Sequence, residues 1–231
     1  MAASVVVIGG TSGLGFELAK SYRSRGADVT ITGRDDERCA SRAAEIGDGV
    51  RSIVLDLAEP ESIGDALREL ESVDRLALVA VDRDQNSVAD YDVDQAIRLV
   101  TLKLVGYTEV VHQLAGRFGP EASILLFGGL AKDRPYPGST TVSTVNGAVS
   151  TMIRTLALEL APVRVNAIHP GIVADTPFWA GKEEHCENVR VRTPTGRNVM
   201  TSDIVDASIF LLENPAVNGV NLDVDGGWMM Q

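Results

Sequence analysis

Short β-branched runs alternate along this chain with longer amphipathic stretches, and no other feature narrows the possible folds as much. The apolar runs are "SVVVIG" (4–9), "DVTIT" (28–32), "VRSIVLD" (50–56), "RLALVAV" (75–81), "SILLF" (123–127), "VRVNAIH" (163–169) and "VNLDV" (220–224). Helical spacing is expected over 14–26, 36–46, 61–71, 92–118, 141–160 and 202–213. A strand that is apolar on consecutive residues is buried on both faces, which parallel sheets covered by helices achieve. Right-handed crossovers then predict an α/β fold, a doubly wound, Rossmann-like parallel sheet of about seven strands with helices on both faces. The ligand crevice of such a sheet lies at the carboxyl ends of its strands. At 231 residues one domain spanning 1–231 is expected. Residues 171–200 are interrupted by Pro and Gly and read as a long irregular loop, a length usually tied to function.

The first strand runs directly into "GGTSGLG", residues 9–15. Gly9, Gly13 and Gly15 allow the backbone to approach a pyrophosphate, whose charge the following helix N-terminus favours. Thr11 and Ser12 add hydroxyl donors in the same turn, and Leu14 belongs to it. After the second strand, an acid would bind a ribose 2′-hydroxyl, whereas an arginine suits a 2′-phosphate. Here Gly33 stands where the acid would, followed by Arg34. NADP(H) is therefore expected over NAD(H). Asp35 and Asp36 follow and are available to pair with Arg34; the competing view of Arg34 is a solvated charge at a helix start.

Net charge of −11 argues against nucleic-acid partners, which need clustered Lys and Arg to neutralise phosphates. Cys39 and Cys186 are far apart and outside any metal-ligand spacing, so two reduced thiols and no metal are expected. The first ten residues lack a basic n-region, and no apolar run approaches bilayer length. A cytoplasmic protein without a membrane partner is expected.

With these motifs in hand, the chain resembles the short-chain dehydrogenase/reductase family over nearly its whole length. The resemblance rests on "GGTSGLG", on "LDL" (55–57), on "VRVNAIHPGIV" (163–173) and on the closing "GVNLDVDGG" (219–227), in that order. It implies that Asp56 and Leu57 lie against the adenine. It implies also that the turn Pro170, Gly171, Ile172 and Val173 lies beside the nicotinamide. "GIVADTPFW" is one residue longer than the usual turn, so either Asp175 or Thr176 takes the place of the family threonine. The tail "DVDGGWMMQ" resembles the family's subunit contact, which implies a homodimer or homotetramer.

The family's reaction centre combines Asn, Ser, Tyr and Lys. The ungapped helix "VSTVNGAVSTMIRTLALEL" leading into "VRVNAIHPG" puts Val142 at the tyrosine and Asn146 at the lysine. "SILLFGGLA" puts Gly129 at the serine, and "TLKLVG" puts Lys103 at the asparagine. "LVAV" (78–81) replaces the family's Asn-Asn-Ala-Gly turn. No register slip restores the set, because no Tyr-x-x-x-Lys occurs in the chain. Val142 has no proton to give, and a positioned general acid contributes about 10²–10⁴-fold.

Two substitutes are weighed. Lys103 titrates near neutrality if buried, although a lysine on a long helix more often snorkels to solvent. Tyr136, in "DRPYPG", is expected over the crevice, with packing between two prolines as the plainer alternative. Asp82, Arg83 and Asp84 at the same rim read as a solvated loop, and His169 as structural. His112 and His185 have no partner at catalytic spacing. Trp179 either closes over the pocket or packs. The expected function is an NADP(H)-binding oxidoreductase-like protein with a degenerate site. The first alternative is an unusual proton donor, or a substrate needing none, such as an activated alkene or imine. The second is a non-redox role: cofactor sensor, partner subunit, lyase or isomerase.

Overall fold

The computed structural model describes residues 2–82 and 84–230. Arg83, one of the three rim residues named above, lies outside the described residues. Seven strands form one sheet: β1 (Ser4–Ile8), β2 (Asp28–Gly33), β3 (Arg51–Val54), β4 (Val73–Leu78), β5 (Phe118–Phe127), β6 (Arg164–Pro170) and β7 (Asn221–Val224). Their order is β3-β2-β1-β4-β5-β6-β7, and every neighbouring pair is parallel. The expected doubly wound sheet is therefore present. The order reverses between β1 and β4, which opens the crevice at their carboxyl ends.

Alternation along β1 explains the two cores. Val6 and Ile8 point into one, with Leu67, Val110, Leu114, Val149 and Ile153. Val5 and Val7 point into the other, with Phe16, Leu18, Ile204 and Leu211. The first core is closed by helices α3 (Ile63–Leu67), α5 (Tyr107–Leu114) and α6 (Thr140–Glu159). The second is closed by α1 (Gly13–Ser24), α2 (Asp36–Ile46) and α8 (Thr201–Glu213). No described helix is long and apolar enough to cross a membrane.

Three expectations about elements need correction. The helix expected over 61–71 is a 3₁₀ turn, Pro60–Ser62, followed by the short α3. The long helix expected over 92–118 is α4 (Val93–Val100), a π-helical segment Thr101–Gly106, and α5. Its last residues form a turn and the start of β5, which begins five residues earlier than its apolar run. The loop expected over 171–200 contains α7 (Glu183–Arg192). Its sequence, EEHCENVRVR, has no broad apolar stripe; only Cys186 and Val189 are buried, so the amphipathic signal is nearly absent.

Candidate active site

One cleft of 2410 Å³ runs over the carboxyl ends of the strands. At its cofactor end β1 turns into α1. Gly9 has φ +87°, and a Cβ there would stand 2.7 Å from the Ala80 backbone. A Cβ on Gly15 would stand 2.3 Å from the Gly9 carbonyl oxygen. The turn is thus closed too tightly for a side chain at Gly9 or Gly15, and it lines the cleft through Gly9, Thr11, Ser12, Gly13 and Leu14. Ser12 is the N-cap of α1 and its side chain makes no capping bond. The positive end of a twelve-residue helix thus faces the cleft with amide donors to offer. These are the features a dinucleotide pyrophosphate requires, and the cradle fits one.

Arg34 follows β2 at the rim of the cleft and is 56% exposed over its side chain. It pairs with neither Asp35 nor Asp36. Asp35 caps α2 by accepting from the Arg38 amide at 2.8 Å. The partner of Arg34 is Asp82, at 3.1 Å. Asp82 also accepts from Arg98 Nε at 2.8 Å, and Arg98 reaches Asp56 at 2.9 Å. Asp56 accepts in addition from the Ala58 amide. Burial works to raise its carboxyl, but the Ala58 and Arg98 hydrogen bonds outweigh it and hold the pKa low. Four charges thus alternate along the rim, and the solvated-loop reading of Asp82 does not hold. Leu57 is buried and also lines the cleft.

The substrate end is built from α6, the β4–α4 loop, the π-helical segment and the β6–α8 segment. Val142, Asn146, Gly129 and Lys103 all line the cleft, so the four positions the resemblance singles out do converge. Asn146 is 7% exposed. Its Nδ2 lies 2.8 Å from where a Cβ on Gly129 would stand. The amide therefore occupies space that any side chain at 129 would need. Gly129 and Asn146 are one packing solution, and a serine at 129 would have to displace the amide. No described residue hydrogen-bonds the Asn146 side chain.

Lys103 is 2% exposed, which overturns the expectation of a lysine snorkelling to solvent. Its Nζ donates to Tyr107 Oη at 2.9 Å, and the Tyr107 hydroxyl donates to the Leu78 and Ala80 carbonyls at 2.8 Å each. Desolvation lowers the Lys103 pKa to about 7. The same burial pushes the Tyr107 phenol well up. Tyr107 had drawn no attention in the sequence; its only signal is its place one helical turn after Lys103.

Tyr136 lines the cleft on its open side and is 56% exposed. Asp84 is not solvated either: it is 6% exposed, and its Oδ2 accepts from Asn86 Nδ2 at 2.8 Å. His169 is structural as expected. Its Nδ1 accepts from the Gly129 amide at 3.1 Å, which leaves the proton on Nε2 to donate to Asn221 Oδ1 at 2.9 Å. Burial keeps this ring below the usual histidine pKa.

Pro170, Gly171, Ile172 and Val173 line the cleft after β6, as do Asp175 and Thr176. Asp175 accepts from both the amide and the hydroxyl of Thr201, which commits it to α8; the Thr176 hydroxyl donates to the Val173 carbonyl. Trp179 stacks on His185 with 5.0 Å between ring centroids and lies edge-on to Phe178, so it both packs and lines the cleft.

Known proteins match this chain over nearly its whole length. A family model described as "Enoyl-(Acyl carrier protein) reductase" matches residues 9–229. The short-chain dehydrogenase/reductase ucsE of Acremonium sp is 30% identical, covering 96% of this chain and 94% of that protein. The NADP-dependent (R)-specific alcohol dehydrogenase of Lentilactobacillus kefiri is 29% identical, covering 98% and 96%. Among solved structures, the MalC Reductase/Diels-Alderase of Malbranchea aurantiaca superposes with a TM-score of 0.92 at 25% identity, covering 100% and 97%. These relatives do not favour the non-redox alternative. With its glycine cradle, its seven-stranded parallel sheet and these relatives, the chain belongs to the short-chain dehydrogenase/reductase family, whose members use nicotinamide cofactors.

Proposed function

We propose that the chain is an NADP(H)-dependent reductase whose substrate end does without the family's Asn, Ser, Tyr and Lys. The observation carrying this reading is the cleft wall itself: Val142, Asn146 and Gly129 beside a buried Lys103. The backbone of residues 9–15 would hold the pyrophosphate, Asp56 and Leu57 the adenine end, and the 170–173 turn with Thr176 the nicotinamide end. The bound cofactor supplies a hydride. The chain's own residues shape the pocket, exclude water along the Val142 wall and hold what protons there are.

Arg34 supports the preference for the phosphorylated cofactor. Its bond to Asp82 is largely exposed, and such pairs contribute about 0–1 kcal/mol, so a 2′-phosphate competes for the guanidinium at little cost. Two groups at the substrate end carry protons: Lys103, lowered to about 7 and able to hold one near neutrality, and Tyr136 at the opening. Ordinary ketones and aldehydes should turn over poorly, because Val142 protonates no alkoxide.

NADPH and NADH titrations by calorimetry test the cofactor reading, and equal affinities would sink it. A carbonyl, alkene and imine panel followed by NADPH absorbance tests the site. Robust ketone turnover untouched by Lys103→Met and Tyr136→Phe would overturn the degenerate-site reading. A drop of about 10²-fold in either variant would instead identify it as the proton source.

The reading includes a homodimer or homotetramer. Val93, Ile97 and Val100 lie on one side of α4 at helical spacing and are exposed, as is Leu158 on α6. Light scattering at micromolar concentration should give a multiple of 24.6 kDa, and a monomer mass would count against assembly.

A further inference from the structure

We propose that the side-chain amide of Asn146 is the polar contact for the substrate, so that the cleft selects an uncharged molecule bearing a primary carboxamide or a lactam beside its reducible bond. This deepens the reading above and rests on it.

Asn146 is 7% exposed and lines the cleft about one helical turn after Val142. Its side chain makes no hydrogen bond, yet neither Oδ1 nor Nδ2 is sealed from the surface. The little surface the residue keeps therefore includes both ends of its amide. Nδ2 lies 2.8 Å from where a Cβ on Gly129 would stand, and Gly129 belongs to the same wall. The amide thus reaches across the cleft wall toward the turn after β5.

The polar groups around it are engaged elsewhere. The Gly129 amide donates to His169 Nδ1 at 3.1 Å. Lys103 Nζ donates to Tyr107 Oη at 2.9 Å. The Ser150 hydroxyl donates to the Asn146 backbone carbonyl at 3.3 Å, not to its side chain. Val142 and Val145, which line the cleft from the same helix, have no polar atom to offer.

A donor and an acceptor left open on a largely buried amide are costly unless a ligand meets both. A ketone or ether oxygen meets the donor and leaves Oδ1 unpaired. A carboxylate likewise has no proton for Oδ1, and Asn146 brings no charge to balance it. A primary carboxamide or a lactam carries C=O and N–H side by side, at the spacing of the amide it faces, so two N–H···O bonds form together. Such a site rejects an analogue lacking the N–H, because its own acceptor then stays unpaired. The contact holds the ligand without transferring a proton, which suits a wall where Val142 has none to give.

The test uses ligand pairs that differ by replacing the amide nitrogen with carbon: 2-piperidone against cyclohexanone, and benzamide against acetophenone. Dissociation constants come from ligand-observed NMR on the free protein and on the protein saturated with NADP⁺. The amide of each pair should bind about tenfold tighter or more. Asn146→Leu, similar in size but without donor or acceptor, should bring each pair to within about twofold. Gly129→Ala should do the same with Asn146 still in place, because the new methyl group takes the space beside Nδ2. Only the free end of one side chain has to move there, so this variant decides if Asn146→Leu does not fold. Equal binding of amide and ketone by the wild-type protein, no binding by either amide, or a preference that survives either variant would overturn the proposal. Failure of NADPH to bind would strike the cofactor reading alone, because the amide preference is also read on the free protein.

Discussion

The two ends of the cleft are made of different material. The cofactor end is backbone: a glycine turn closed to within van der Waals contact of Ala80, followed by a helix terminus. Its side chains matter chiefly by being absent. The substrate end is side chains whose meaning depends on what they are packed against: Lys103 on Tyr107, Asn146 against Gly129, and Asp84 on Asn86, which also reaches Thr141. A backbone device tolerates divergence around it while its glycines stay. A side-chain device is rewritten by a handful of substitutions, and a fold can therefore keep its cofactor and change its chemistry.

If the ends differ in this way, substitutions should divide between them. The largest effect is expected at the substrate end, and on stability. Burial holds Lys103 at about 7 against an ordinary value of 10.5. Below pH 7 the folded protein carries a buried ammonium and bears the full penalty, which fades as pH rises from about 7 to 10.5, because only the unfolded chain then keeps the proton. Lys103→Met should stabilise the protein by roughly 3–4 kcal/mol at pH 6 and by much less at pH 9.5. Thermal melts at both values check this. A gain independent of pH would mean that the lysine does not titrate there.

At the cofactor end Gly15→Ala adds one methyl group 2.3 Å from the Gly9 carbonyl oxygen. It should weaken NADPH binding by about 3 kcal/mol, roughly 100-fold, because the turn must open. Calorimetry on the folded variant measures it, and wild-type affinity would show that the turn is not the cradle. Arg34→Ala should cost on the order of 1.5–3 kcal/mol of NADPH binding and leave NADH unaffected. Equal losses for both cofactors would remove Arg34 from the 2′-phosphate. The smallest effect is a gain: Asp82→Asn frees Arg34 and Arg98 of their shared carboxylate, and NADPH should bind tighter by up to about 1 kcal/mol. The effect should shrink with added salt.

Much of the molecule was legible without coordinates. The β-branched runs specified all seven strands, since a strand buried on both faces leaves no other composition available. "GGTSGLG" specified the cradle because close backbone approach demands glycine whatever surrounds it. Helix α2 falls on the expected residues 36–46, but the carboxylate of Asp35, a candidate partner of Arg34 in the sequence, caps the helix instead. The convergence of positions 103, 129, 142 and 146 followed from the family resemblance. Helix α7 was not legible, because its polar sequence carries no amphipathic period and its two buried residues find their partners only in the folded chain.

The charges and protons of the site were decided by tertiary structure alone. Whether Lys103 meets water or Tyr107, whether Arg34 pairs with Asp35 or Asp82, and whether Asp84 is solvated or buried are questions of desolvation and of distances between strands. A residue's type states what it can donate or accept. Only the packing of α6, the π-helical segment and the β4–α4 loop around one crevice states what each group is left facing, because burial and neighbouring charge, unlike backbone conformation, are set by residues dozens of positions away.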